Sequence, residues 1–220
     1  MIKIARHIPR GIIKNNNIIL QKARGCWITD KDGIKYLDMT SGIGALSTGH
    51  CHPKITNAVK EQIDRVVHAQ QNCFFSHVEQ EKLLEKMLKI LPSNHDNVFF
   101  TNSGSEATDN AIKIARMSTK KQNIISVKGG FHGRTLCAMS LTSSKVSYRQ
   151  GFQPLIPGVF FCDDNINSLK EVLENQTSPD ETCALIMEPI IGEGGIIEIS
   201  PEFVKYARKI CYENNIKLIF

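Results

Sequence analysis

The sequence predicts an α/β fold: an incomplete, mostly parallel sheet flanked by helices, preceded by a small N-terminal β-region. Three observations carry that reading. From residue 97 onward, short apolar runs alternate with stretches of helical period. The loops that follow successive runs are rich in glycine and in chemically capable side chains. The chain also stops at Leu218-Ile219-Phe220, inside an apolar run with no turn or polar tail, so it reads as a piece of a longer protein.

Residues 18–40 read as the β-region, with Asp30-Lys31-Asp32-Gly33 as the turn between runs at 26–29 and 35–38. Gly33 can supply the positive φ that such a turn needs. Pro53 suits the first turn of a helix reaching to about His68. A second helix is expected from Val78 to Leu91, because Leu83, Leu84, Met87, Leu88 and Leu91 form one apolar stripe. Pro92 stops it. Next comes a strand at 97–101, then a helix at 104–118 with Ala107, Ala111, Ile114 and Ala115 on one face. Further strands are expected at 124–127, 159–162, 183–187 and 217–220, with helices at 166–174 and 202–214, the latter capped by Ser200. These elements group into an arm and β-region (1–52), linking helices (53–92) and a partial large domain (93–220). Short apolar strands between helices mean a parallel sheet covered on both faces. Ligands of such sheets bind at the carboxyl ends of the strands.

Composition narrows the function. The 220 residues carry 27 Lys+Arg against 22 Asp+Glu, a net charge of +5. Lys3, Arg6, Arg10, Lys14, Lys22 and Arg24 fall in the first 29 residues, which hold no acid, so the remainder stands at −1. A nucleic-acid binder would instead show a basic stripe with interleaved aromatics on its folded body. The basic start reads as an ordinary N-terminal arm, because Pro9, Gly11 and Asn15 to Asn17 interrupt the amphipathic helix of an import peptide. No apolar run approaches the roughly 18 residues of a membrane span. The seven cysteines are scattered without a C-x-x-C pair, which argues against zinc or a redox pair and for a reducing, cytoplasmic compartment. Cys162, Cys183 and Cys211 lie in apolar stretches and read as core residues.

Three loops carry the chemistry. Asn102-Ser103-Gly104-Ser105-Glu106 opens a helix after a strand, and its free N–H groups make a phosphate site. Taken alone, the same residues also read as an ordinary capping box with Ser103 and Glu106. There is no G-K-[ST] of a P-loop and no G-x-G-x-x-G. Lys128 to Thr135 places three glycines around Phe131, His132 and Arg134. Phe131 could stack on a flat ring and Arg134 could grip a carboxylate with two parallel hydrogen bonds. Glu188 and Glu193 sit in a Gly-rich loop, where they could serve acid–base work, pair with arginine or bind metal. Metal is disfavoured because no further ligands cluster nearby. His50-Cys51-His52 precedes Pro53 and reads as structural, and a serine hydrolase is disfavoured by the lack of G-x-S-x-G.

Together, in this order, the motifs resemble the class III aminotransferases, pyridoxal-phosphate enzymes of fold type I such as the 4-aminobutyrate, acetylornithine and ornithine aminotransferases. The resemblance runs over essentially the whole chain, from Ala23-Arg24-Gly25 and Asp32-Gly33 through Gly42 to Pro53, F-F-T-N-S-G-S-E-A at 99–107, G-F-H-G-R-T at 130–135 and E-P-I-I-G-E-G-G at 188–195. It implies that Ser103, Gly104 and Ser105 hold the cofactor phosphate, that Phe131 and His132 lie at the cofactor ring, and that Glu188 is a carboxylate near the cofactor. It further implies that Arg134 binds the substrate carboxylate, that Ile43 lines the substrate pocket, and that Glu193 pairs with a distal arginine and releases it to a dicarboxylate. Thr108 stands where many members have Asn or a small residue.

The family's D-E-x-Q aspartate and its Schiff-base lysine come after the last strand, so this chain is expected to lack a catalytic lysine and the arginine partner of Glu193. The family would pair some strands of this sheet with strands from a C-terminal half, so the chain alone is expected to expose edges and to aggregate or stay partly unfolded. The implied reaction moves an amino group from an ω-amino acid to a 2-oxo acid such as 2-oxoglutarate, by a homodimer acting on no nucleic acid and no membrane. The alternatives are a pyridoxal-phosphate-dependent racemase or epimerase on the same scaffold, or an inactive truncated homologue.

Overall fold

The computed structural model describes residues 16–69 and 74–220, so the first part of the basic arm and Cys73 lie outside the described residues. The chain divides into two compact units, 1–96 and 97–220.

In the first unit, β1 (Leu20–Arg24), β2 (Trp27–Asp30) and β3 (Lys35–Leu37) form an antiparallel sheet in that order. Asp30 organises the turn between β2 and β3. Its Oδ1 accepts from the amides of Asp32 and Ile34, its Oδ2 accepts from the Tyr36 hydroxyl, and Gly33 takes φ +86° as the sequence requires. A single turn, α1 (Ser41–Gly44), follows with Gly42 and Ile43 in the left-handed region. It is bracketed by Asp38, whose Oδ2 lies 2.8 Å from His50 Nε2, and by a two-bond bridge between Gly25 and His50. His50 thus ties the end of β1 to Asp38.

Two amphipathic helices complete this unit, α2 (Pro53–Ile63) and α3 (Val78–Leu88), both shorter than the periodicity predicts. The Gln62 side-chain amide donates to the Val66 carbonyl past the end of α2, where a regular helix would continue. At α3, Pro92 disfavours the helical region for Leu91, and the chain loosens into turns accepted by Met87 O.

The second unit is the α/β layer. It runs α4 (Gly104–Thr119), β4 (Asn123–Val127), α5 (Leu136–Leu141), β5 (Val159–Cys162), α6 (Ile166–Asn175), β6 (Thr182–Ile186), the hairpin β7 (Ile190–Ile191) and β8 (Ile197–Glu198), α7 (Pro201–Glu213) and β9 (Lys217–Ile219). The four main strands are parallel in the order β5-β4-β6-β9. Every residue of β6 is buried, as expected for a strand covered on both faces. Ile125, Val127, Leu185 and Met187 pack with Leu169 and Val172 of α6 and Phe203 and Ala207 of α7. Ile124, Cys183, Ala184 and Ile186 pack with Ile112 and Ala115 of α4 and Leu141 of α5. Burial pushes the Cys162 and Cys211 thiols up to about 12, so these cysteines behave as apolar core.

From β4 the chain moves outward to β5, then crosses back to β6 and outward again to β9. The strand order therefore reverses between β4 and β6. Such switch points leave a crevice at the carboxyl ends of the two strands, which is where their loops meet.

One expectation fails. The run at 97–101 is not a strand: among the described residues no neighbouring strand forms a ladder with Val98 to Thr101, and a strand exists only through its ladder. The pieces that sequence reading did not anticipate, α5 and the two-residue strands β7 and β8, are too short to show a period.

Candidate functional site

The site begins at the N-terminus of α4. Ser103 adopts extended backbone, and its Oγ accepts the Glu106 amide at 3.2 Å. Glu106 reaches back in turn, but to the Asn102 amide at 2.7 Å rather than to the cap residue itself. The capping box therefore forms one residue wide of its usual pattern. It leaves the first helical amides, those of Gly104 and Ser105, without a hydrogen-bond partner among the described residues. A Cβ added at Gly104 would meet nothing within 4 Å, so this helix end is not covered at that position. The cap and the anion site are one arrangement.

The loop after β4 closes onto this helix end. Ser105 Oγ accepts the Arg134 amide at 3.1 Å, which leaves its own hydrogen free to donate. Gly133 makes the approach possible: it takes φ +132°, and a Cβ there would run into Ser105 Oγ and come within 2.9 Å of the Ala138 Cβ. Thr108, on the next turn of α4, donates to the His132 carbonyl at 3.0 Å, and the His132 amide donates to Thr142 Oγ1 at 2.9 Å. Asp109 takes the Thr135 hydroxyl at 2.8 Å and the Ala138 amide at 3.1 Å, which starts α5.

The loop after β6 meets the same segment. Glu188 Oε1 accepts the Phe131 amide at 2.6 Å, and its Oε2 accepts the Gly192 amide at 2.9 Å. The His132 imidazole lies close by. Burial pushes its pKa down, against the opposing pull of the Glu188 charge, and its Nε2 is buried without a partner among the described residues. Gly130 leaves room for it, since a Cβ there would stand 2.8 Å from that nitrogen and 3.4 Å from Glu188 Oε1.

Six of the residues singled out in the sequence therefore converge: Ser103, Gly104, Ser105, Phe131, His132 and Glu188. Arg134 joins them through its backbone, while its side chain is exposed and makes no ion pair among the described residues. Glu193 has two partners that sequence reading missed, the Tyr148 hydroxyl at 3.2 Å and Lys145 Nζ at 3.3 Å. Tyr148 also meets the Phe131 ring edge-on, with centroids 5.2 Å apart. Ile43 belongs to the other unit, where it is 96% exposed on the α1 turn. No group of three or more metal-ligating side chains occurs among the described residues.

Thr108, Asp109 and Thr142 were also missed as scaffolding. Thr108 supports the loop through the His132 carbonyl. The available signal was its place one helical turn after Ser105, on a face that must meet whatever follows β4.

Comparison with known proteins shows the family and the fold. The family model described as aminotransferase class-III matches residues 12–220. The acetylornithine aminotransferase of Methanocaldococcus jannaschii is 40% identical over 210 residues, covering 92% of this chain and 50% of that protein. The 4-aminobutyrate aminotransferase of Escherichia coli is 34% identical over 234 residues, covering all of this chain and 54% of its own length. The chain thus spans about half the length of the curated relatives it matches. Among solved structures, the ornithine aminotransferase of Toxoplasma gondii superposes with a TM-score of 0.85 at 27% identity, covering 98% of this chain and 51% of that one. The taurine:2-oxoglutarate aminotransferase of Bifidobacterium kashiwanohense, solved with PLP and glutamate, does so with a TM-score of 0.88 at 25% identity, covering 98% and 53%. Among the described residues, no helix is long and apolar enough to cross a membrane.

Proposed function

The chain belongs to the class-III aminotransferases, and on that premise we propose that the full-length protein transfers the amino group of an ω-amino acid to a 2-oxo acid such as 2-oxoglutarate, with pyridoxal phosphate as cofactor. The observation that carries this reading is the convergence of the α4 N-terminus, the Phe131 loop and Glu188 at the β4–β6 switch point. The relatives named for acetylornithine, 4-aminobutyrate and 5-aminovalerate support a donor with a distant amine.

The residues present fit that cofactor. The uncovered helix end at Gly104, the partnerless amides of Gly104 and Ser105 and the spare proton of Ser105 Oγ suit a phosphate at the positive end of a 16-residue helix. Ser103 shapes this end through its cap. Phe131, anchored at its amide by Glu188, would offer its ring face to a flat heterocycle, and the partnerless Nε2 of His132 would supply a polar contact near its edge. When bound, pyridoxal phosphate supplies the electron sink for the exchange of the amino group.

The other roles belong to the chain. Arg134, with five donors in a planar fork, would hold the carboxylate common to donor and acceptor. Ile43 would line the substrate pocket, and Glu193 would meet the distal end of the substrate: attractive to a second amine, repulsive to a second carboxylate. Burial keeps His132 neutral over more of the pH range than a free imidazole, so it adds no charge beside Glu188.

None of the lysines of this chain matches the family's catalytic position, so the 220-residue chain by itself is read as inactive, the reaction belonging to the full-length homodimer. The free thiols of the described cysteines support a cytoplasmic setting.

The test uses full-length protein with pyridoxal phosphate, followed by absorbance and by borohydride reduction with peptide mapping. The expected result is one labelled lysine outside residues 1–220, together with glutamate formation from 2-oxoglutarate that requires 4-aminobutyrate or acetylornithine. Absence of cofactor uptake, or interconversion of enantiomers without a 2-oxo acid, would overturn the proposal.

A further inference from the structure

Resting on the role proposed above for Arg134, we infer that Asp109 is its positioning residue: it fixes the backbone on which the guanidinium stands and so sets affinity for the carboxylate common to donor and acceptor. Ser105, Thr108 and Asp109 fall three and four residues apart on α4 and therefore share one face of the helix. Each takes hold of the loop after β4. Ser105 Oγ accepts the Arg134 amide at 3.1 Å, and Thr108 donates to the His132 carbonyl at 3.0 Å. Asp109 Oδ1 accepts both the Thr135 hydroxyl at 2.8 Å and the Ala138 amide at 3.1 Å. Of the three, Asp109 alone acts on the side of Arg134 that leads into α5.

Thr135 stands at the N-cap of α5, yet its own side chain makes no capping hydrogen bond. Ala138 is the third residue of that helix, the usual recipient of a cap acceptor. Asp109 therefore supplies the missing cap from another helix, with a carboxylate at the positive end of α5.

The consequence falls on Arg134. Its side chain is exposed and makes no ion pair among the described residues, so its direction derives from its backbone. Without Asp109 the Thr135 hydroxyl and the Ala138 amide lose their acceptor, and a ligand has to order the segment as it binds. That cost appears as weaker affinity for the carboxylate. Because Ser105 lies on the same face, α4 also sets the separation between the helix end proposed for the phosphate and the group proposed for the carboxylate.

The experiment measures dissociation constants of the full-length protein for pyridoxal phosphate and, in the holoenzyme, for valerate, a non-reacting monocarboxylate. D109A is expected to weaken valerate about three- to tenfold, with pyridoxal phosphate held within about twofold of wild type. D109N keeps an acceptor oxygen and should return valerate to within about twofold of wild type. R134M should weaken valerate at least as much as D109A, and D109A added to R134M should change nothing further. In steady state, KM for 2-oxoglutarate should rise in D109A with kcat within about threefold of wild type. A lower melting temperature in D109A with valerate binding unmoved would mean a merely structural cap. That result, or an equal loss of affinity in the R134M background, overturns the assignment. Where D109A does not fold, T135V decides, since it removes one of the two donors and leaves the carboxylate: weaker valerate binding supports the role and wild-type binding overturns it. Valerate affinity unmoved by R134M alone would sink the underlying reading of Arg134, a failure seen without any change at Asp109.

Discussion

The carboxylate of Glu188 accepts the backbone N–H of Phe131 at 2.6 Å across a separation of 57 residues, and its second oxygen takes the Gly192 amide at 2.9 Å. One side chain thus joins the loops after β4 and β6 at the point where the strand order reverses. Both oxygens act only as acceptors, which defines the first prediction.

Glu188→Gln replaces one acceptor by an NH2 group that must face a backbone donor, either Phe131 or Gly192. Leaving the part-buried Phe131 N–H unsatisfied costs about 1–3 kcal/mol, and the exposed Gly192 N–H less. The melting temperature should fall, and pyridoxal phosphate should bind more weakly because the Phe131 loop loses its anchor. Thermal melts of the full-length protein with and without cofactor read both. An unchanged melt of the cofactor-free protein would show that the two amides find other partners.

A pair of alanine substitutions separates shape from chemistry at the helix end. At Gly133, φ +132° and the collision of a new Cβ with Ser105 Oγ oppose any side chain, so Gly133→Ala should destabilise by about 2 kcal/mol or more. At Gly104 nothing stands within 4 Å of a new Cβ, so Gly104→Ala should leave the melt of the cofactor-free protein close to wild type. The added methyl group would nonetheless crowd the helix end proposed to hold the phosphate. Weakened pyridoxal phosphate binding with normal stability is the expected signature, and wild-type affinity in Gly104→Ala would place the phosphate elsewhere.

Much of this was legible in the sequence, for identifiable reasons. The strands β4, β5 and β6 are apolar runs flanked by helical periods, and burial on both faces writes β4 and β6 in nearly continuous hydrophobic residues. The glycines and polar residues that follow them mark the loops of the site. The Tyr148–Glu193 hydrogen bond was not legible, because it links residues 45 apart through a 3-10 turn that has no periodic signal. Nor was the state of the 97–101 run. Its apolar pattern suits a strand, but pairing is a property of two segments, and no strand among the described residues forms a ladder with it. Thr108 failed in the opposite way: composition alone gave no reason to connect it with the carbonyl of His132.

His132 gives a pH prediction. Burial lowers its pKa in the folded protein below the roughly 6.5 of an exposed imidazole. As pH falls through that value the unfolded chain binds a proton that the folded chain refuses, so stability declines with acidification until the folded pKa is reached. His132→Asn, which cannot titrate, should flatten the decline of the melting temperature between about pH 6.5 and the lower folded value. Above about pH 7.5 the pH slopes of wild type and variant should coincide. Identical slopes at both ends of the range would assign the acid sensitivity to other groups.

The last prediction concerns the 220-residue chain by itself. Phe99, Ile114 and Met117 are more than half exposed and line an apolar groove of about 720 Å³ along α4. The strands β5 and β9 end the sheet without a further partner among the described residues. Exposed apolar grooves and open strand edges both favour association between copies of a chain. Expressed alone, the chain should therefore scatter light and sediment as a mixture of oligomers, increasingly so at higher concentration. Replacing Ile114 and Met117 by Glu and Lys should reduce that association without lowering secondary-structure content, because neither side chain belongs to the buried core. A concentration-independent monomer with one sharp cooperative transition would contradict the expectation, since it would mean that the groove is too small a patch to drive self-association.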